Sequence, residues 1–319
     1  MRVYLHLVVW IVCLHLSACT PQVYTYPSEV ARLNQIPQNL PLLPTAGLLQ
    51  SSRQGGSITL EAGIYLLDAP LRVEADVSIL GAGVNKSILL SEAPRATITL
   101  DGPHRLRLDG VTVVHRSSQP ADVIYSRGGQ LELHNSRVMG GVRNPVPFED
   151  SPLQHIGSGI RLLAEASLLL QDSLIIDNAQ HGIAMDDGSS ATVRNSSIWA
   201  SGRNGIRARG TASFDLIASS VMYARSSGVN LFTAARGRVQ ASTIGHNAAH
   251  AVLLQELASI EVSNSNFADN GRAAIALFDA SFGRLTQNDC RQNAAGGIVN
   301  ASRLAQGTTD GGCLFEENP

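Results

Sequence analysis

His181, Asp186, Arg207, Arg209 and Asn230 follow a spacing that can build a site. Arg207 lies 23 residues after Ala184, Arg209 lies 23 after Asp186, and Asn230 lies 23 after Arg207. Arg161 lies 23 before Ala184. If one structural unit takes 23 residues, these side chains stand together on one outer face. Such a patch has the parts to act on a polymer of acidic sugars. Its arginines would neutralise a uronate carboxylate and so acidify the C5 proton. His181 or an arginine would abstract that proton, and Asp186 would orient the base. His181, Asp186 and Arg207 are therefore the catalytic candidates, with Arg161, Arg209 and Asn230 as substrate-binding candidates. The same residues also read as a surface ion pair, Asp186 with Arg209 across adjacent units, worth under ~1 kcal/mol.

The elements that position this patch follow from the period. Gly159-Ile160, Gly182-Ile183, Gly205-Ile206, Gly228-Val229, Ala251-Val252, Ala274-Ile275 and Gly297-Ile298 recur at a step of 23 without a break. A serine column runs Ser173, Ser196, Ser219, Ser242, Ser265 and ends at Asn288. An apolar column reads Ile175, Ile198, Val221, Ile244, Phe267, Cys290, and a turn column Asn178, Ser201, Ala224, Asn247, Asn270, Asn293. Gly, Asn, Ser and β-branched residues oppose helix, and apolar positions alternate as in strands. Each unit reads as three short strands joined by turns. Stacked units hydrogen-bond rung on rung at ~4.8 Å. The Asn and Ser columns then read as ladders bonding turn to turn.

This pattern resembles the right-handed parallel β-helix of the pectin-lyase-like superfamily. The resemblance extends to Ile58–Leu90, where Glu61-Ala62-Gly63-Ile64-Tyr65 and Ile79-Leu80-Gly81-Ala82-Gly83 look like first coils. It implies an all-β solenoid over residues 55–319, of about ten to twelve coils and ~50 Å long. The superfamily's catalytic signatures are not carried over. Asp186-Asp187 matches only the acid pair of polygalacturonases, and Asp101-Gly102-Pro103-His104-Arg105 departs from the Asp-Pro-His-Asp of mannuronan epimerases. The acidic calcium cluster of pectate lyases is missing too.

One break in the register stands beside the patch. Val138 to Ile175 spans 37 residues, 14 more than the regular 23. The surplus includes Arg143 to Asp150 and His155, and such insertions map to loops, often on the binding face.

Val3 to Leu14 is apolar but too short to span a bilayer of ~30 Å, and reads as a secretory segment. It ends in Leu16-Ser17-Ala18-Cys19, which resembles the bacterial lipoprotein signal at all four lipobox positions. That resemblance implies removal of residues 1–18, acylation of Cys19 and, because Thr20 rather than Asp follows, an outer-membrane address. Residues 19–54 would form a tether and entry cap. Prolines punctuate it, Ser28–Leu33 allows a short helix, and the apolar run Leu40–Leu49 covers the open end of the core.

Cys290 and Cys313 differ by 23, so they fall one rung apart in one column. A rise of ~4.8 Å lies within the Cα separation a disulfide accepts. The alternative is two thiols filling an apolar column.

The chain of 319 residues carries 24 basic and 26 acidic side chains. A charged fraction of 16% excludes a disordered chain, and the absence of a basic surplus argues against nucleic acid as partner. No Cys or His spacing suits a metal and no glycine loop suits a phosphate cofactor, so no metal and no cofactor is expected, and a monomer is. Three readings remain open: an envelope lipoprotein that binds a polysaccharide, a lyase or epimerase on an acidic polysaccharide, and a structural or adhesive scaffold. The first is preferred.

Overall fold

The computed structural model describes residues 28–33, 35–144, 156–302, 304–309, 313 and 315–316. Residues 1–27, with Cys19, and residues 145–155 of the insertion, with His155, lie outside them.

The chain visits three parallel sheets in rotation. The first runs from Gly56–Leu60 to Gln306–Thr309, the second from Gly63–Leu67 to Thr243–Gly245, and the third from Leu71–Val73 to Phe315–Glu316. The first and third have eleven strands each and the second eight, among the described residues. Eleven rungs agree with the ten to twelve coils expected.

The β-branched column is realised as a stack of Cα partners: Ile160, Ile183, Ile206, Val229, Val252, Ile275 and Ile298. Each is fully buried. The stack continues upstream through Leu71, Ile98 and Ile124, although their sequence spacing is irregular. Hydrogen bonding fixes register within strands only, so a turn can change length without disturbing it. The small-residue column has a steric reason. A Cβ on Gly182 would stand 2.3 Å from Ile198 Cγ2 and 2.7 Å from the Gly205 carbonyl oxygen.

The two polar columns are ladders. The N–H of Ser173 donates to Ser196 Oγ, Ser196 to Ser219, Ser219 to Ser242 and Ser242 to Ser265, each at 3.1 Å. Asn247 Nδ2 donates to Asn270 Oδ1 at 2.9 Å, and Asn270 Nδ2 to Asn293 Oδ1 at 2.8 Å. These bonds satisfy buried turn groups that water cannot reach. Corners at Asp177, Ala200, Tyr223, His246, Asp269 and Gln292 are left-handed, again at a step of 23. Each such corner costs roughly 1–2 kcal/mol, which the backbone bonds to the adjacent rung offset.

The N-terminal segment is a strap as well as a cap. The helix Ser28–Leu33 lies along the outer face of the second sheet, where Val30 packs among Ile88, Val114, Met139 and Ile176. The second helix, Ala46–Gln54, covers the first coil with Leu48, which is 1% exposed and part of the main core. Leu42, within the apolar run expected to cover that end, stays 70% exposed. At the other end Cys290 and Cys313 form a disulfide with a Cα–Cα distance of 5.0 Å, joining adjacent rungs.

No helix among the described residues is long and apolar enough to cross a membrane.

Candidate functional site

The strands Ile160–Leu163, Ile183–Met185, Ile206–Ala208 and Val229–Leu231 are neighbours in the third sheet. Their first and third residues point inward, so the middle residue of each faces out. Arg161 pairs with Ala184, Ala184 with Arg207 and Arg207 with Asn230, which forms one outward column. Asp186, Arg209 and Phe232 follow the strand ends on consecutive rungs, their N–H groups bonded to Leu162, Met185 and Ala208 respectively.

Asp186 joins the two columns. Its Oδ1 receives Arg209 Nε at 2.9 Å and Arg207 Nη1 at 3.2 Å. Its side chain is only 2% exposed and that of Arg207 only 6%, whereas Arg209 is 43% exposed. This is therefore a buried charge cluster, not the surface pair that the spacing also allowed. The Arg207 guanidinium carbon lies 4.9 Å from the ring centroid of Phe232, a cation–π contact. Burial lowers the pKa of Arg207, Asp186 opposes that shift, and Arg209 and Arg161 add to it.

A second buried carboxylate, Asp122, was missed by sequence reasoning. Its Oδ1 accepts the N–H of Gly157 at 2.9 Å and of Ser158 at 2.8 Å, and its Oδ2 lies 3.9 Å from Arg161 Nη1. Gly157 and Ser158 form the downstream stem of the insertion. The upstream stem is tied to the same strand by paired backbone bonds between Ala121 and Val142, both 2.8 Å. Asp122 thus holds the downstream stem of the insertion and reaches the edge of the arginine patch. The step from Ile124 to Ile160 is not 23, so the repeat could not reveal it. The available signal was an acid flanked by Ala121, Val123 and Ile124, in a stretch otherwise apolar.

Burial pushes the Asp122 carboxyl up to about 6, against the opposing effects of Arg161 and the Ser158 and Gly157 N–H groups. A carboxyl whose folded pKa exceeds its unfolded value binds more protons when folded. It contributes stability that is full below the unfolded value near 3.8 and lost as pH rises through about 6. The stability of the wild type should therefore fall between pH 4 and pH 6.5 by on the order of 2 kcal/mol from this group. In Asp122→Asn that fall should flatten. Urea midpoints measured across this range check it, and parallel curves for the two proteins would refute it.

His181 takes a different position from the one that proton abstraction requires. It lies in a buried column with Asp122, Ser158, Asn204, Ser227 and His250, and is itself 1% exposed. Asp122, His181 and Asn204 each bond the backbone of the next rung. His181 Nδ1 accepts the N–H of Asn204 at 3.4 Å, and Asn204 Oδ1 that of Ser227 at 3.1 Å. On a neutral ring the proton then sits on Nε2, and Nδ1 is already engaged. At the far end of the column, burial and Arg272 lower His250 to about 4.

The structure thus brings together Asp186, Arg207 and Arg209, with Arg161 and Asn230 flanking them in register. Arg161 Nε and Asn230 Oδ1 are buried atoms with no hydrogen-bond partner among the described residues. No group of three His, Cys, Asp or Glu suited to a metal occurs among the described residues.

Residues 158–311 match the family model for a right handed beta helix region. The fold is a right-handed parallel β-helix. No curated protein matches the sequence. Among solved structures, the A-module of the Azotobacter vinelandii mannuronan C-5 epimerase AlgE4 superposes with a TM-score of 0.57 at 14% identity, over 84% of this chain and 91% of that one. Full-length tailspike protein 2 of the Escherichia coli O157:H7 bacteriophage CAB120 gives 0.63 at 13% identity, over 82% of this chain and 40% of that one. The Dettilon tailspike protein gives 0.59 at 9%, over 83% and 58%. At such identities the likeness is one of fold.

Proposed function

We propose that this protein binds an acidic polysaccharide across the third sheet, without cleaving it, while held to the bacterial outer membrane by lipid on Cys19. One observation carries the binding part. Both carboxylates of the site are about 1% exposed and already engaged, whereas Arg209 remains 43% exposed beside Asn230 and Phe232. The chemistry offered to a ligand is therefore cationic and aromatic, and the acids act by holding the arginines. An exposed guanidinium can receive a uronate carboxylate in bidentate fashion. The fold is one that a mannuronan C-5 epimerase and phage tailspikes also use, which supports a glycan as ligand. The complete lipobox supports the anchor.

A glycan array followed by titration of polyuronates tests the binding. Arg209→Ala should weaken affinity about tenfold or more, in line with loss of a charged hydrogen bond, and leave the polymer intact. Unchanged affinity in Arg207→Ala/Arg209→Ala would place any glycan site elsewhere. Intact mass of membrane-extracted protein should show a lipid increment that Cys19→Ser abolishes.

A second reading, lyase or epimerase, is favoured by Asp122 alone, since a carboxyl near 6 beside Arg161 has the protonation behaviour of a general base. It requires unsaturated-uronide absorbance, or solvent deuterium entering C5. Either signal should vanish in Asp122→Asn with binding retained.

A further inference from the structure

Away from that face, the N-terminal strap and the second sheet enclose a cleft of about 840 Å³. Its lining includes Arg32 from the strap, Arg137 from the sheet, Arg116 just past the strand Val111–His115, and the amides of Gln35, Gln38 and Asn85. None of the described residues that line it is acidic. We propose that this cleft is a binding site for a phosphate-type oxyanion, with Arg137 at its floor and Arg32 and Arg116 at its rim.

The argument rests on unneutralised charge. Arg137 is 4% exposed, and its guanidinium donates to the carbonyl oxygens of Leu33 at 2.7 Å and Gln35 at 3.5 Å. Those carbonyls are neutral, and Arg137 Nε, also buried, has no partner among the described residues. Neither Arg32 nor Arg116 forms an ion pair among the described residues, and both are exposed. What distinguishes them from other exposed arginines is that they face the same cleft as buried Arg137, whereas the buried Arg207 has Asp186 as its counter-ion. Three cations facing one cleft, with no acid among its described lining residues, call for more than one negative charge, which favours a phosphate or sulfate over a single carboxylate. Burial of Arg137 lowers its pKa with no acid to oppose it, in keeping with a counter-ion supplied from outside. Because the strap contributes Arg32 and the Leu33 and Gln35 carbonyls, a bound oxyanion would also tie the strap to the sheet.

The group can arrive free in solution or as a lipid headgroup, and the test separates the two. The Cys19→Ser protein, which lacks the proposed acylation site, is titrated calorimetrically with inorganic phosphate in chloride buffer. Phosphate should bind and sulfate should compete. Arg32→Ala and Arg116→Ala, both at exposed positions, should each weaken binding about fivefold to tenfold. Arg137→Lys, which keeps the charge but not the planar fork, should weaken it more. Displacement of phosphate by phosphatidylglycerol vesicles but not by phosphatidylcholine vesicles upholds the site and assigns it to a lipid headgroup. Binding that such vesicles do not disturb upholds it for a soluble phosphate. No binding at millimolar phosphate, or equal affinity in Arg32→Ala/Arg116→Ala, overturns the proposal. Neither result bears on the glycan face, which shares no residue with the cleft.

Discussion

Asp186→Ala is expected to destabilise the protein by about 3–5 kcal/mol and to remove glycan binding in the same step. Arg207 is the reason. Its side chain is 6% exposed, wedged between Asp186 and the ring of Phe232, with the fully buried Ala184 beside it in the column. Without Asp186 it becomes an uncompensated buried cation, and Arg161 and Arg209 already disfavour its charge. Asp186→Asn keeps an acceptor oxygen but not the charge, so it should fall between wild type and alanine. Asp186→Ala/Arg207→Met removes both charges and should recover much of the loss, because a buried pair exchanged for apolar side chains is often neutral. Glycan binding should not recover with it. Chemical unfolding of the four proteins, with hydrogen exchange of the Ile206–Ala208 amides as a local readout, checks the series. A cost under ~1 kcal/mol for Asp186→Ala would mean that Arg207 swings into solvent and that the pair behaves like an exposed one.

The repeat made the later coils readable to the residue. A column of β-branched residues at a constant step can be satisfied by one geometry, a stack of parallel strands, and Ile183, Ile206, Val229, Val252 and Ile275 occupy it. The same step placed Arg207 beneath Asn230 and beside Ala184, and put Cys290 and Cys313 within reach of each other. What the period could not show is depth. Asp186 and Arg207 read as outward residues, yet both are buried, paired with each other beside the fully buried Ala184. His181 read as a residue leading into the patch, but the register makes it a rung in a ladder of buried turn groups. Asp122 was invisible because the insertion breaks the step on its downstream side. The strap's docking could not be read either. Val30 meets Ile88 and Met139 through packing of an outer stripe that no local pattern encodes.

The second large effect concerns the far end of the solenoid. Phe267→Ala is expected to cost about 3–5 kcal/mol, in the range for emptying a buried aromatic site. Phe267 is fully buried and follows Ile175, Ile198, Val221 and Ile244 in the inward column of the second sheet. That sheet has its last regular strand at Thr243–Gly245, and Asn266 continues it only by single bridges to Thr243 and Asp289. The ring therefore fills the interior where the backbone ladder has thinned, one rung before the disulfide at Cys290. An alanine there leaves a cavity that strands on only two sides can close. Because each coil contacts only its neighbours, the damage should stay local. Amides of Ile275–Leu277 and Ile298–Asn300 should exchange about a hundredfold faster or more, since every 1.4 kcal/mol is a factor of ten, while those of Leu71–Val73 keep wild-type rates. Phe267→Leu should produce the same pattern at a smaller amplitude. Uniform acceleration along the whole chain would instead mean that the coils unfold as one cooperative unit, and the thinning of the second sheet would then have no bearing on where the molecule opens first.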